Sequence, residues 1–165
     1  MRTSIGIDNG ISGTIGIINQ DEIKFLSTPI KTEQNYTKKK GNISRIDFRK
    51  MFEILKPYKD DSFIMLERPL VNPGRFKATA SALRALEATL IVIEILKIPH
   101  QYLDSKPWQR ELLPKGTKGE AELKKASCDI GKRLFPQFSD FISKHKDADG
   151  ILIAEYCRRF QQGLL

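Results

Sequence analysis

The chain has 165 residues, 40% apolar and 29% charged, with a formal net charge of +8 and a pI near 9.5. That length suits one domain over residues 1–165 with a real core, and the composition excludes global disorder. The positive excess points to a polyanionic partner, nucleic acid before membrane, and the longest apolar stretch, residues 88–96, is broken by Glu94 and too short to span a bilayer.

Residues 4–8, 13–19 and 22–28 are predicted strands, turned at Asn9-Gly10 and Asn19-Gln20-Asp21, which makes an antiparallel meander. Residues 31–42 follow as a flexible, lysine-rich hairpin or loop. Ser44 and Asp47 resemble a capping box, and Ile46, Phe48, Met51, Phe52 and Leu55 recur at helical spacing, predicting an amphipathic helix that ends near Lys56. Residues 62–67 are a continuous apolar run that ends on Glu67, the pattern of a central strand covered on both faces.

Residues 78–97 predict the longest helix. Its surplus of apolar surface suits either a core helix or one buried twice, on the sheet and on a second subunit. A strand at 100–104, a short helix opened by residues 106–110, a basic glycine-containing loop at 115–119 and helices over 120–135 and 148–160 complete the chain. The order predicts an α/β fold with a mixed five-stranded sheet flanked by helices. Cys128 and Cys157 lie far apart with no paired spacing, and no charged-then-apolar leader opens the chain, so a cytoplasmic protein is expected.

Three acids hold privileged places. Asp8 ends the first strand on a glycine-rich turn, Glu67 ends the fourth, and Asp149 opens the last helix. Taken singly, these are a turn residue, a surface charge and a helix cap. Taken together, they predict three carboxylates converging at one sheet edge. Such a group repels itself unless divalent cations lie between its members. All-oxygen ligation suits Mg²⁺, with Mn²⁺ as a substitute, and two such ions would suit hydrolysis of a phosphodiester. Lys38-Lys39-Lys40, Arg75-Phe76-Lys77, Lys115 and Lys118 flank this edge as candidate DNA-binding residues, with salt-dependent backbone contacts expected.

Gly6-Ile7-Asp8-Asn9-Gly10, Leu66-Glu67-Arg68-Pro69, the Trp108 segment, Lys124-Lys125-Ala126-Ser127 leading into Arg133-Leu134-Phe135-Pro136, and the run from Ala148 to Ala154 stand in an order that resembles one family. It is that of the RuvC-like Holliday junction resolvases of the ribonuclease H-like superfamily, above all its small phage-encoded members. The resemblance implies a ribonuclease H-like fold and a Mg²⁺-dependent endonuclease that cuts four-way junctions, forks and other branched DNA. It also implies a homodimer, with residues 78–97 as the candidate interface, and work in the cytoplasm, that of the host if phage-encoded.

Matched residue by residue, Asp8, Glu67 and Asp149 take the three main metal positions. The fourth position falls on Lys146, whose ammonium cannot ligate. Helical phase then favours His145 and charge favours Asp147. Lys124 or Lys125 matches a lysine that would meet the scissile phosphate. An aromatic wedge found in some relatives falls on Leu70 here, with Phe76 as the available substitute.

The turn Asp8-Asn9-Gly10-Ile11-Ser12-Gly13 also matches the phosphate loop of actin-like ATPases. That fold needs a second such domain and a chain about twice as long. Two further readings fit the same residues: a different nuclease of the superfamily, acting on RNA–DNA hybrid or RNA, and a non-catalytic nucleic-acid-binding module. The retained acids argue against the binding module.

Overall fold

Alternation along β1 (Thr3–Ile7) sends Ile5 and Ile7 to one face of a sheet and Ser4 and Gly6 to the other. Both faces are covered in the computed structural model, which describes residues 2–36, 38 and 40–165. β1 pairs antiparallel with β2 (Thr14–Ile18), and β2 with β3 (Ile23–Ser27), which forms the expected meander. On its other side β1 runs parallel to β6 (Ser62–Glu67), and β6 runs parallel to β7 (His100–Leu103). The result is a mixed five-stranded sheet of order β3-β2-β1-β6-β7. The β1–β6 register pairs Ile7 with Leu66, so Asp8 and Glu67 leave neighbouring strands at the same end.

One face buries Ile5, Ile7, Ile15, Ile17, Ile64 and Leu66 under α1 (Phe48–Leu55) and α2 (Phe76–Leu96). The other packs Ile18, Phe25 and Met65 against α3 (Ser105–Leu112), α4 (Glu120–Leu134), α5 (Ser139–His145) and α6 (Asp149–Gln161). On this second face α6 lies directly on the sheet. A Cβ on Gly6 would sit 2.1 Å from the Ala154 nitrogen, one on Gly16 2.5 Å from the Gly150 oxygen, and one on Gly150 2.5 Å from the Thr14 oxygen. Any side chain at these three places would lift α6 away and withdraw its first residue, Asp149, from the end of β1.

The sequence reading left one choice open, and three local features depart from it. The basic segment, expected as a hairpin or loop, is a hairpin, β4 (Ile30–Gln34) with β5 (Asn42–Ile46). Glu33 pairs along β4 with Lys31 at 2.5 Å and across to β5 with Arg45 at 2.8 Å. Ser44 and Ile46 therefore belong to β5, not to a helix. The N-cap of α1 is Asp47 alone, accepting the Lys50 amide at 3.2 Å. α5 was not anticipated, because Pro136 ends α4 but the chain resumes helically after one tight turn, with Phe141 edge-on to Phe25 at 4.8 Å. α2 begins at Phe76 and buries one face only, leaving Leu83, Ile91 and Ile95 exposed by 43%, 45% and 62%. Lys39 lies outside the described residues. Among those residues no helix is long and apolar enough to cross a membrane.

Candidate active site

At the shared end of β1 and β6 the carboxylates of Asp8, Asp147 and Asp149 converge, with one oxygen of each within 4.8 Å of the others. Each reaches this point by a separate device. Asp8 follows β1, and its amide is tied to the Thr14 carbonyl at 3.0 Å. Asp149 opens α6, which the glycine contacts press against the sheet. Asp147 precedes α6 and accepts the Asp149 amide on Oδ1 at 2.7 Å, which satisfies one free donor at the helix start. Its other oxygen accepts from the Thr14 hydroxyl at 3.3 Å, and that same hydroxyl accepts the Gly150 amide at 3.0 Å. Thr14, fully buried, thereby links Asp147 to the first turn of α6.

Glu67 adjoins this trio through a hydrogen bond with Asp8. Its Oε1 accepts the indole N–H of Trp108 at 2.9 Å. Trp108 is the chain's one tryptophan and is fully buried on α3. Such a large ring in a close-packed interior leaves the N–H little freedom, so Glu67 is held by a rigid donor. On the opposite side Ser127 of α4 donates its hydroxyl to Asp149 Oδ1.

The electrostatics are those of acids without enough cations. Burial, then the charges of Asp147, Glu67 and Asp149, raises the Asp8 carboxyl well above the usual aspartate range. Burial and the Asp147 charge push Asp149 up to about 7, against the opposing Ser127 hydroxyl and Lys124 ammonium. Burial also raises Glu67, although the Trp108 indole and the hydrogen bond with Asp8 pull it down. The donors are hard carboxylate oxygens. Burial also raises the nearby Cys128 thiol, the soft ligand a zinc site would use, and so keeps it protonated. Such a donor set fits Mg²⁺ or Mn²⁺.

The two candidates for the fourth position separate here. α5 ends at His145, Lys146 takes a left-handed conformation at φ 58°, and α6 starts only at Asp149, so no helical phase connects His145 to Asp149. The His145 ring packs on Phe141 at 5.6 Å, whereas Asp147 stands in the cluster. Of the paired lysines, both exposed, Lys124 is the one whose charge acts on Asp149. Lys38, Lys40, Arg75, Lys77, Lys115 and Lys118 are all exposed. Leu70 and Phe76 project outward, 83% and 76% exposed, so Phe76 is not a core residue. The sequence reading gave Thr14, Ser127 and the indole of Trp108 no role at the site, although the Trp108 segment and Ser127 fall within the motifs that carry the resemblance. Ser127 lies one turn after Lys124 on a helix flanking the site, and that spacing was the one available signal.

A mixed five-stranded sheet with two acids at adjacent strand ends and a third at the start of the packed last helix defines the class: an α/β fold of the ribonuclease H-like type. No family model matches the chain, and no curated protein matches it by sequence. Among solved structures it is similar to RuvC of Thermus thermophilus in complex with a Holliday junction substrate. That likeness has a TM-score of 0.64 at 12% identity and covers 99% of this chain and 98% of that one. A second Thermus thermophilus RuvC structure matches with a TM-score of 0.55 at 13% identity, covering 98% of this chain and 97% of that one. The chain thus has the RuvC fold over nearly its whole length.

Proposed function

We propose that the protein is a divalent-metal-dependent endonuclease that cleaves four-way junctions and other branched DNA. The observation that carries this reading is the convergence of Asp8, Asp147 and Asp149, with Glu67 beside them, at the edge of a RuvC-like sheet. A binding module gains nothing from carboxylates turned toward phosphate. Asp8, Asp147, Asp149 and Glu67 would hold Mg²⁺ or Mn²⁺, two ions in the full site. Bound there, the ions would supply a more acidic water and charge neutralisation at the leaving oxygen.

The protein's own groups do the rest. Trp108 and Ser127 fix the rotamers of Glu67 and Asp149, and Thr14 fixes Asp147. Lys124 brings positive charge beside Asp149, where the scissile phosphate would lie. Lys38, Lys40, Arg75, Phe76, Lys77, Lys115 and Lys118, together with Lys39, are the candidate contacts to the DNA backbone and branch. The exposed Leu83, Ile91 and Ile95 support a two-fold dimer through α2, which would present two sites to the arms of a junction.

The test is cleavage of a synthetic four-way junction beside linear duplex, fork and RNA–DNA hybrid, with Mg²⁺ or Mn²⁺. Branched DNA is expected to be cut. Asp8→Asn, Glu67→Gln and Asp149→Asn are each expected to stop cutting while binding persists. Preferential cutting of the hybrid would move the substrate to RNA–DNA, and normal cutting by any of the three variants would sink the site. A purely monomeric protein at micromolar concentration would remove the dimer.

A further inference from the structure

α3 and α4 each carry two neighbouring functions. Trp108 and Ser127 reach the carboxylates, while Lys106, Pro107, Gln109 and Arg110 of α3 and Leu123 of α4 turn to a separate cavity of about 600 Å³, closed by residues 113–119. Its floor is apolar: Leu113 is buried and Pro107 and Leu123 are partly buried. Its rim is cationic and exposed, made by Lys106, Arg110, Lys115 and Lys118. None of these four cations has an ion-pair partner among the described residues. The nearby Glu111 is turned to Arg159 at 3.4 Å and does not line the cavity.

An apolar floor under a ring of unpaired cations matches a ligand with a flat, weakly polar body and an anionic end. The volume lies within the range of small-molecule sites. A nucleotide has that composition, and a base out of its stack is commonly received between apolar side chains. Leu123 stands one helical turn before Ser127, so the cavity lies about 6 Å along α4 from the residue that touches Asp149. That separation puts the cavity within reach of a strand bound at the carboxylates.

We propose that the cavity between α3, residues 113–119 and α4 takes one unstacked nucleotide of the bound DNA, with its base on Pro107, Leu113 and Leu123 and its phosphates toward Lys106, Arg110, Lys115 and Lys118. This rests on the nuclease reading for the presence of DNA on this face. The pocket makes the protein sensitive to base pairs already loosened, because the unpairing cost is smallest at a branch. Structure selectivity then arises without a sequence code.

The test uses the full chain in EDTA, where binding is read by fluorescence anisotropy without cutting. The probes are four-way junctions carrying one abasic site at successive distances from the branch. One position is expected to lose at least about fivefold in affinity when its base is absent, the lower end of what one buried base contributes. Leu123→Trp, which fills the cavity, is expected to weaken the intact junction by the same factor and to erase the abasic difference. Lys118→Gln, on the exposed rim and safe for folding, is expected to weaken intact and abasic junctions alike and to lower the salt slope by about one.

Junctions bound with no abasic-sensitive position overturn the pocket and leave the nuclease reading standing. If no junction binds, a single-stranded oligonucleotide with one 2-aminopurine decides the pocket alone. Emission that rises on binding, and no longer does so in Leu123→Trp, keeps the pocket while the junction reading falls. Unchanged emission sinks both.

Discussion

The first and the middle turn of α6 hold acids in opposite circumstances. Midway along the helix Glu155, 5% exposed, accepts a bidentate pair from Arg158, 2.7 Å from each nitrogen, and a third bond from Arg159 at 2.9 Å. Burial alone would raise that carboxyl, but the two arginines outweigh it and hold it below the usual range. At the N-terminal end Asp149 meets two more aspartates, and burial with the Asp147 charge lifts it to about 7. The first acid is neutralised within the fold. The second is left in need of a cation, an arrangement typical of functional sites.

The largest separation of the two acids is expected in catalysis. Asp149→Asn is expected to slow junction cutting at least about 10³-fold, since a metal-holding group supplies several kcal/mol of charge stabilisation. The same substitution should raise the Tm of the metal-free protein, because it removes a charge the fold resists. Glu155→Gln is expected to do the reverse, costing about 2–3 kcal/mol in urea unfolding as Arg158 and Arg159 lose their shared partner, with cutting rates per folded molecule unchanged. Equal effects of the two substitutions on cutting would erase the distinction.

Trp108→Phe sharpens it further. The ring's bulk is largely kept, but Glu67 loses its fixed donor. Loss of an orienting partner behind a ligand typically lowers metal affinity about 10-fold or more. Titration of Mg²⁺ against Tm should show that loss, with a cost of about 1.5–3 kcal/mol for the missing bond to a charged group. Unchanged metal affinity with lowered stability would make Trp108 a packing residue only.

The sheet and its acids were legible because they rest on local pattern. The apolar runs into Asp8 and Glu67, and the small-residue start of α6 after Asp149, need no distant partner to be seen. The choice between His145 and Asp147 turned on one residue, Lys146, whose φ of 58° breaks the helix between them. A lysine carries no signal for that conformation. Thr14, Ser127 and Trp108 act on acids 133, 22 and 41 residues away, so only the folded chain reveals them. The segment of β4 and β5 stayed open between hairpin and loop for another reason: the pairing of Lys31 and Arg45 with Glu33 supports strands, but as composition these residues read equally as a basic loop.

The smallest expected effect concerns pH, and it has opposite signs for the two acids of α6. Glu155 has a lowered folded pKa, so its contribution to stability is present above its unfolded value and lost as acid protonates the folded carboxyl. Asp149 has a raised one, from 3.8 to about 7, so its contribution is complete below about pH 4 and is lost as pH climbs through 7. The metal-free protein should therefore weaken between pH 5 and 8, the range in which most proteins are at their most stable. Divalent cations compete with those protons and bind the deprotonated acids, so added Mg²⁺ should restore what alkaline pH removes. At about ten times its Kd, Mg²⁺ is expected to raise Tm by about 4 °C at pH 8 and by less than about 1 °C at pH 5. Asp149→Asn should flatten both the pH slope and the Mg²⁺ response, while Glu155→Gln should leave the Mg²⁺ response intact. An equal Mg²⁺ response at both pH values would mean that the acids at the start of α6 are not the groups the cation relieves.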